Sequence, residues 1–121
     1  MKNLAQIRAK AALDALRNAP EITRQAVNKL PAMIMANGLL ATFAFCNAES
    51  TGENRFAMKK AVEATARYLA NRGLTPKESE PINKTIEYLS QQDSHRLQIA
   101  TDEAIAFIAY LKRFAPGENE D

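Results

Sequence analysis

Ala32 to Cys46 reads Ala-Met-Ile-Met-Ala-Asn-Gly-Leu-Leu-Ala-Thr-Phe-Ala-Phe-Cys and is the longest apolar run of the chain. Wound at 3.6 residues per turn, Met33, Ile34, Met35, Leu39, Leu40, Phe43 and Phe45 cover every direction of a helix. A helix apolar nearly all round belongs at the buried centre of a bundle. Pro31 stands just ahead of it, where the missing N–H of a first helical turn costs nothing. Asn37, Gly38 and Thr42 interrupt the run, which falls short of the ~20 apolar residues that span a bilayer. The stretch therefore predicts one continuous core helix of a soluble protein.

The flanks agree with a helical bundle. A first helix is expected from about Lys2 to Asn18, with Leu4, Ile7, Ala11, Ala15 and Leu16 on one stripe. Pro20 blocks its continuation, and Glu21 to Lys29 reads as a short second helix or a bent extension. After the central run, Asn47 to Asn54 is rich in turn formers. A helix of about Arg55 to Arg72 should turn Phe56, Ala57, Ala61, Thr65, Tyr68 and Leu69 inward, and Gly73 should stop it. Thr75-Pro76-Lys77-Glu78 looks like a capping box, and Pro81 breaks any helix begun there. A helix over Ile82 to Gln91 follows. Asp93 or Ser94 then caps a last helix, about His95 to Phe114, striped by Leu97, Ala100, Ala104, Phe107, Ile108, Leu111 and Phe114. No alternating run is long enough for a strand. The expected fold is an all-α single-domain bundle of five to six helices over residues 1–115, with a short acidic tail at 116–121.

Length and composition fit this picture. The chain has 121 residues, 46% of them hydrophobic and 25% charged, the profile of one globular domain. Its one cysteine, Cys46, excludes an internal disulfide and a cysteine-based zinc site, which suits a cytoplasmic setting. No apolar export segment is evident near Met1, and no membrane association is expected.

Catalytic chemistry finds little support. Asp93-Ser94-His95 has the residue types of a triad, but three consecutive helical side chains point about 100° apart and cannot relay a proton. Asp93 and Ser94 read as caps, and His95 as a partly exposed side chain. One histidine and one cysteine are too few for a zinc site. The four glycines stand apart and form no phosphate loop. Neither an enzyme, a metal nor a cofactor is expected.

Charge is more telling. Met1 to Arg72 carries eleven Lys/Arg against five Asp/Glu, whereas Gly73 to Asp121 carries five against nine. A basic half predicts an anionic partner. Arg55, Lys59 and Lys60 lie at i, i+4 and i+5, with Arg67 and Arg72 further along the same helix. Arg8, Lys10, Arg17, Arg24 and Lys29 add positive charge from the first quarter, and Lys112-Arg113 from the last helix. Lys29, Arg55, Lys59 and Lys60 lead as nucleic-acid contacts, followed by Arg24, Lys112 and Arg113. Phe43, Phe45, Phe107 and Phe114 fall on core stripes, so no base-stacking platform is expected.

Two stretches are distinctive. Lys29 to Phe45 reads K-L-P-x-M-I-x-x-N-G-L-x-x-x-x-A-F, and Thr101 to Ala115 reads T-x-E-A-I-A-F-I-A-Y-L-K-R-F-A. With Gln6-Ile7-Arg8-Ala9-Lys10-Ala11, the length and the helix order, they resemble the small subunit of the Cmr complex, the type III-B CRISPR effector. Pro31, Asn37 and Gly38 are the packing core of the first motif, where Asn37-Gly38 would let another helix approach closely. The resemblance implies a non-catalytic subunit whose copies stack along guide RNA paired to target RNA, in antiviral defence. It also implies contact with other Cmr subunits, including the large polymerase-like one, while RNA cutting belongs elsewhere in the complex. The competing readings are a small helical DNA-binding regulator, a structural adaptor without nucleic-acid contact and, last, a bundle enzyme.

Overall fold

A computed structural model describes residues 2–48, 52–77 and 81–117. Among them the chain forms seven helices and no strand: α1 (Leu4–Asn18), α2 (Arg24–Asn28), α3 (Leu30–Asn37), α4 (Leu39–Asn47), α5 (Glu53–Asn71), α6 (Pro81–Ser90) and α7 (Ser94–Phe114). None of these helices is long and apolar enough to cross a membrane.

Local chemistry sets most boundaries. α1 starts two residues later than expected because Asn3 and Gln6 build a reciprocal capping box, with side-chain to backbone bonds of 2.8 and 2.9 Å. The Thr23 hydroxyl accepts from the Ala26 N–H and makes α2 a separate helix rather than an extension of α1. Asp93, not Ser94, caps α7, accepting from the Arg96 N–H at 2.8 Å. Gly73, at φ +78°, ends α5, and the Leu74 N–H returns to the Leu69 carbonyl. Pro81 opens α6, as a proline can in a first turn, where it was expected to stay outside. The capping box at Thr75 reaches Glu78, which lies outside the described residues.

The central helix is the main difference. Gly38 adopts φ +89° and ψ 162°, breaking the expected single helix into α3 and α4. That break raises the helix count above five to six without changing the bundle. Helix α3 ends on the Gly38 N–H to Ile34 carbonyl bond of 2.7 Å, and the Thr42 hydroxyl caps the turn by donating to the Gly38 carbonyl at 2.9 Å. A Cβ on Gly38 would meet nothing within 4 Å, so Gly38 serves a backbone turn and not the close approach of another helix.

The long helices form the frame. Helix α7 packs against α1 and α5, α2 bridges α5 and α7, and α4 lies on α5 and α6. Phe43, Phe107, Leu30, Leu69, Val62 and Ile108 fill the core between them. The halves of the apolar run each keep one face inside, through Ile34, Leu39, Phe43 and Cys46, and one outside. Met35 is 80% exposed and Phe45 47%, contrary to their expected burial.

Candidate nucleic-acid interface

Helix α5 carries three of the four leading candidates, Arg55, Lys59 and Lys60, in its first two turns. Its buried positions are Ala57, Met58, Ala61, Val62, Thr65, Ala66, Tyr68, Leu69 and Ala70, a stripe that leaves Phe56 46% exposed rather than inward. Arg55 leans back over α4: its guanidinium lies 4.1 Å from the centroid of the Phe45 ring, and Nη2 donates to the Phe45 carbonyl at 2.9 Å. Lys60 Nζ stands 5.4 Å from the centroid of Phe56. Both aromatic rings thus hold a cation, an arrangement that draws on the negative face of the π system. Lys59, one turn beyond Arg55, has no ion-pair partner among the described residues.

The run of positive charge along α5 is not continuous. Glu63 sits within it, 3.9 Å from Lys60 and 3.2 Å from Arg67. Arg72 stands past the last turn of α5, at its C-cap, and its charge helps to hold the Glu103 carboxyl low, after Arg8 and Tyr68.

A second basic group forms where α2 meets the end of α7. Arg24 Nε donates to the Lys112 carbonyl at 3.2 Å, and its backbone N–H donates to the Pro116 carbonyl at 3.0 Å. Lys112 and Arg113 are exposed in the last turn of α7, and exposed Lys29 closes α2 one turn beyond Arg24. Between the starts of α2 and α5 runs a groove of about 520 Å³, lined by Phe56, Thr23, Gln25, Asn54, Glu21 and Glu53. The structure thus brings Arg24, Lys112 and Arg113 together, and Arg55, Lys59 and Lys60 together. Pro31 stands in the first turn of α3 as expected, Asn37 is its exposed last residue, and His95 is exposed at the start of α7.

Arg8 does not join either group. Its guanidinium grips Glu103 of α7 through Nε and Nη2, each 2.8 Å from a carboxylate oxygen. The Tyr68 hydroxyl of α5 donates to the same carboxylate, and the Tyr68 ring stacks on Phe107 at 4.4 Å. Arg8 and Tyr68 hold the Glu103 carboxyl below the usual carboxylate range, Arg8 first. Burial, then Glu103, pushes the Tyr68 hydroxyl up to about 12. Three helices are thereby tied by one carboxylate. Arg8 lies in the quoted Gln6–Ala11 and Glu103 in Thr101–Ala115, but nothing in either segment names the other.

Comparison with known proteins adds one finding. The model of the family described as CRISPR-associated protein (Cas_Cmr5) matches residues 4–118. That match spans α1 through the end of α7 and includes every basic residue of the two groups. No curated protein and no solved structure matches the chain.

Proposed function

The chain belongs to the Cmr5 family, the small subunit of the type III-B CRISPR Cmr complex, and from that membership we propose that it is a non-catalytic subunit whose copies stack along guide RNA paired to target RNA. The family match carries the proposal. The two basic groups support it, because contacts distributed over several lysines and arginines suit a phosphate backbone read without regard to sequence. Base pairing then supplies specificity, and the protein supports the duplex. Through this role the chain serves antiviral defence in the cytoplasm beside the other Cmr subunits, including the large polymerase-like one.

The test is charge reversal, Lys59→Glu with Lys60→Glu, in the assembled complex and the free subunit. Each phosphate contact removed should flatten the log–log salt dependence of RNA binding by roughly 0.7–0.9. Binding by the free chain should be weak, gaining strength when several copies line one RNA. Unchanged binding and salt slope in both settings would favour the adaptor reading. Glu63 is the observation behind that second reading, since it shares itself between Lys60 and Arg67 and lowers the charge available to phosphates.

A further inference from the structure

We propose that the start of α5, with Phe45 from α4, is a site for unpaired nucleotides, with bases stacking on Phe56 and on the Arg55–Phe45 pair and phosphates held by Lys59 and Lys60. This goes beyond duplex support, although it rests on the reading that the chain meets RNA. Phe45 and Phe56 are 47% and 46% exposed, which leaves part of each ring open to a partner. Here each ring has a cation beside it, at 4.1 and 5.4 Å, and Lys59 adds a third positive charge within the same two turns. Aromatic faces interleaved with cations match single-stranded nucleic acid, whose bases expose π faces and whose backbone is anionic. An apolar peptide would gain from the rings but would leave three cations to be desolvated.

The geometry divides the labour. Arg55 is pinned by its bond to the Phe45 carbonyl, so its guanidinium plane and the ring beneath it form a fixed surface on which a base can lie. Phe56 lines the groove between α5 and α2 together with the polar residues Thr23, Gln25 and Asn54. Glu53 and Glu21, which also line that groove, repel phosphates, which leaves the groove to the base and the Lys59–Lys60 side to the backbone. Bases inside a duplex have both faces covered by neighbours, so the site selects unpaired nucleotides.

The test compares a labelled oligoadenylate of about twelve nucleotides with an abasic oligonucleotide of the same phosphate count. Both are titrated with the full chain at low and at physiological salt. The intact strand should bind more tightly by roughly 5- to 150-fold per stacked base. Phe56→Ala should remove most of that preference and Phe56→Tyr should keep it, with Phe45→Ala intermediate. Lys59→Gln with Lys60→Gln should weaken both strands alike and flatten their salt slopes. Equal binding of the two strands with a steep salt slope overturns the stacking site while leaving phosphate contact intact. No binding of either strand at low salt, free or in the complex, overturns both. Failure of Phe56→Ala to assemble, with its RNA preference unchanged, overturns the site and makes the ring a protein contact.

Discussion

Arg8 on α1 and Glu103 on α7 stand 95 residues apart in sequence and meet in a two-pronged ion pair, both bonds 2.8 Å long. Their side chains keep only 23% and 13% of their exposure, whereas the Lys10–Asp14 pair on α1 keeps 64% and 43%. The distinction decides which pair matters. Exposed pairs return little, because water already solvates each charge and ordering two long side chains has an entropic cost. A shielded, bidentate pair is held in one geometry, and losing one partner strands the other away from water.

Arg8→Ala should therefore destabilise the fold by about 1–3 kcal/mol, and Lys10→Ala by less than about 0.5 kcal/mol. Urea denaturation of the two variants gives both numbers. A double-mutant cycle of Arg8→Ala with Glu103→Gln should show coupling of the same order. Independent effects of the two substitutions would mean the pair contributes geometry without stability.

The same carboxylate gives the fold an acid limb. Arg8, then Tyr68, depresses the Glu103 pKa in the folded chain, against an opposing contribution from burial. A depressed folded pKa contributes stability that is complete above the unfolded value of about 4.3 and is lost as pH falls through the folded one. Tyr68 works the other way. Its hydroxyl is raised to about 12, so its contribution is complete below the unfolded value near 10 and is lost as pH climbs toward 12. Urea midpoints measured across pH should fall at both ends. Glu103→Gln should flatten the acid limb, and Tyr68→Phe the alkaline one.

Much of this arrangement was legible in the sequence, and the failures share a cause. Apart from Phe56, the α5 stripe and with it the stop at Gly73 stand where local periodicity and hydrogen bonding place them, and the cap of α7 falls at Asp93, one of the two residues expected for it. Phe56 departs from its expected inward place because the buried stripe beside it passes through the smaller Ala57, Ala61 and Val62. Phe45 was misplaced because all-round apolarity implies all-round burial only in an unbroken helix, and the turn at Gly38 gives each half an outer face. Arg8 and Glu103 were each on the page, but their pairing depends on how α1 lies against α7, which no local pattern encodes.

Within the apolar run, position rather than hydrophobicity sets the cost of truncation. Leu39 is 2% exposed and packs in the core, so Leu39→Ala should destabilise by about 2–5 kcal/mol through lost transfer energy and the cavity left behind. Met35 is as apolar but faces solvent, so Met35→Ala should stay within about 0.5 kcal/mol. Thermal denaturation of the two variants makes the comparison. Similar losses at both positions would contradict the broken central helix.

Cys46 tests the same segment chemically. It is 1% exposed at the end of α4, and burial pushes its thiol up to about 11. The thiolate is the reactive form, so the native chain should react with a disulfide reagent at neutral pH only as fast as it unfolds. Addition of denaturant should release one rapid equivalent. Immediate reaction in the absence of denaturant would show that α4 opens locally.

Gly38 offers the most direct test of the central turn. Its φ of +89° with ψ of 162° lies in a region essentially reserved for glycine, where another residue costs about 1–3 kcal/mol. Since an added Cβ meets nothing within 4 Å, Gly38→Ala carries no steric penalty from neighbours and its whole cost lies in the backbone. The variant should remain folded, with helix content by circular dichroism unchanged and its stability in urea denaturation lowered by that amount. Alanine favours helix by roughly 1 kcal/mol over glycine, so a continuous α3–α4 helix competes with the turn. Continuity would swing Ile34 and Leu39, both buried across the break, out of their shared core. A neutral or stabilising effect accompanied by a rise in helicity would show that the continuous helix is the preferred state and that the turn at Gly38 is dispensable.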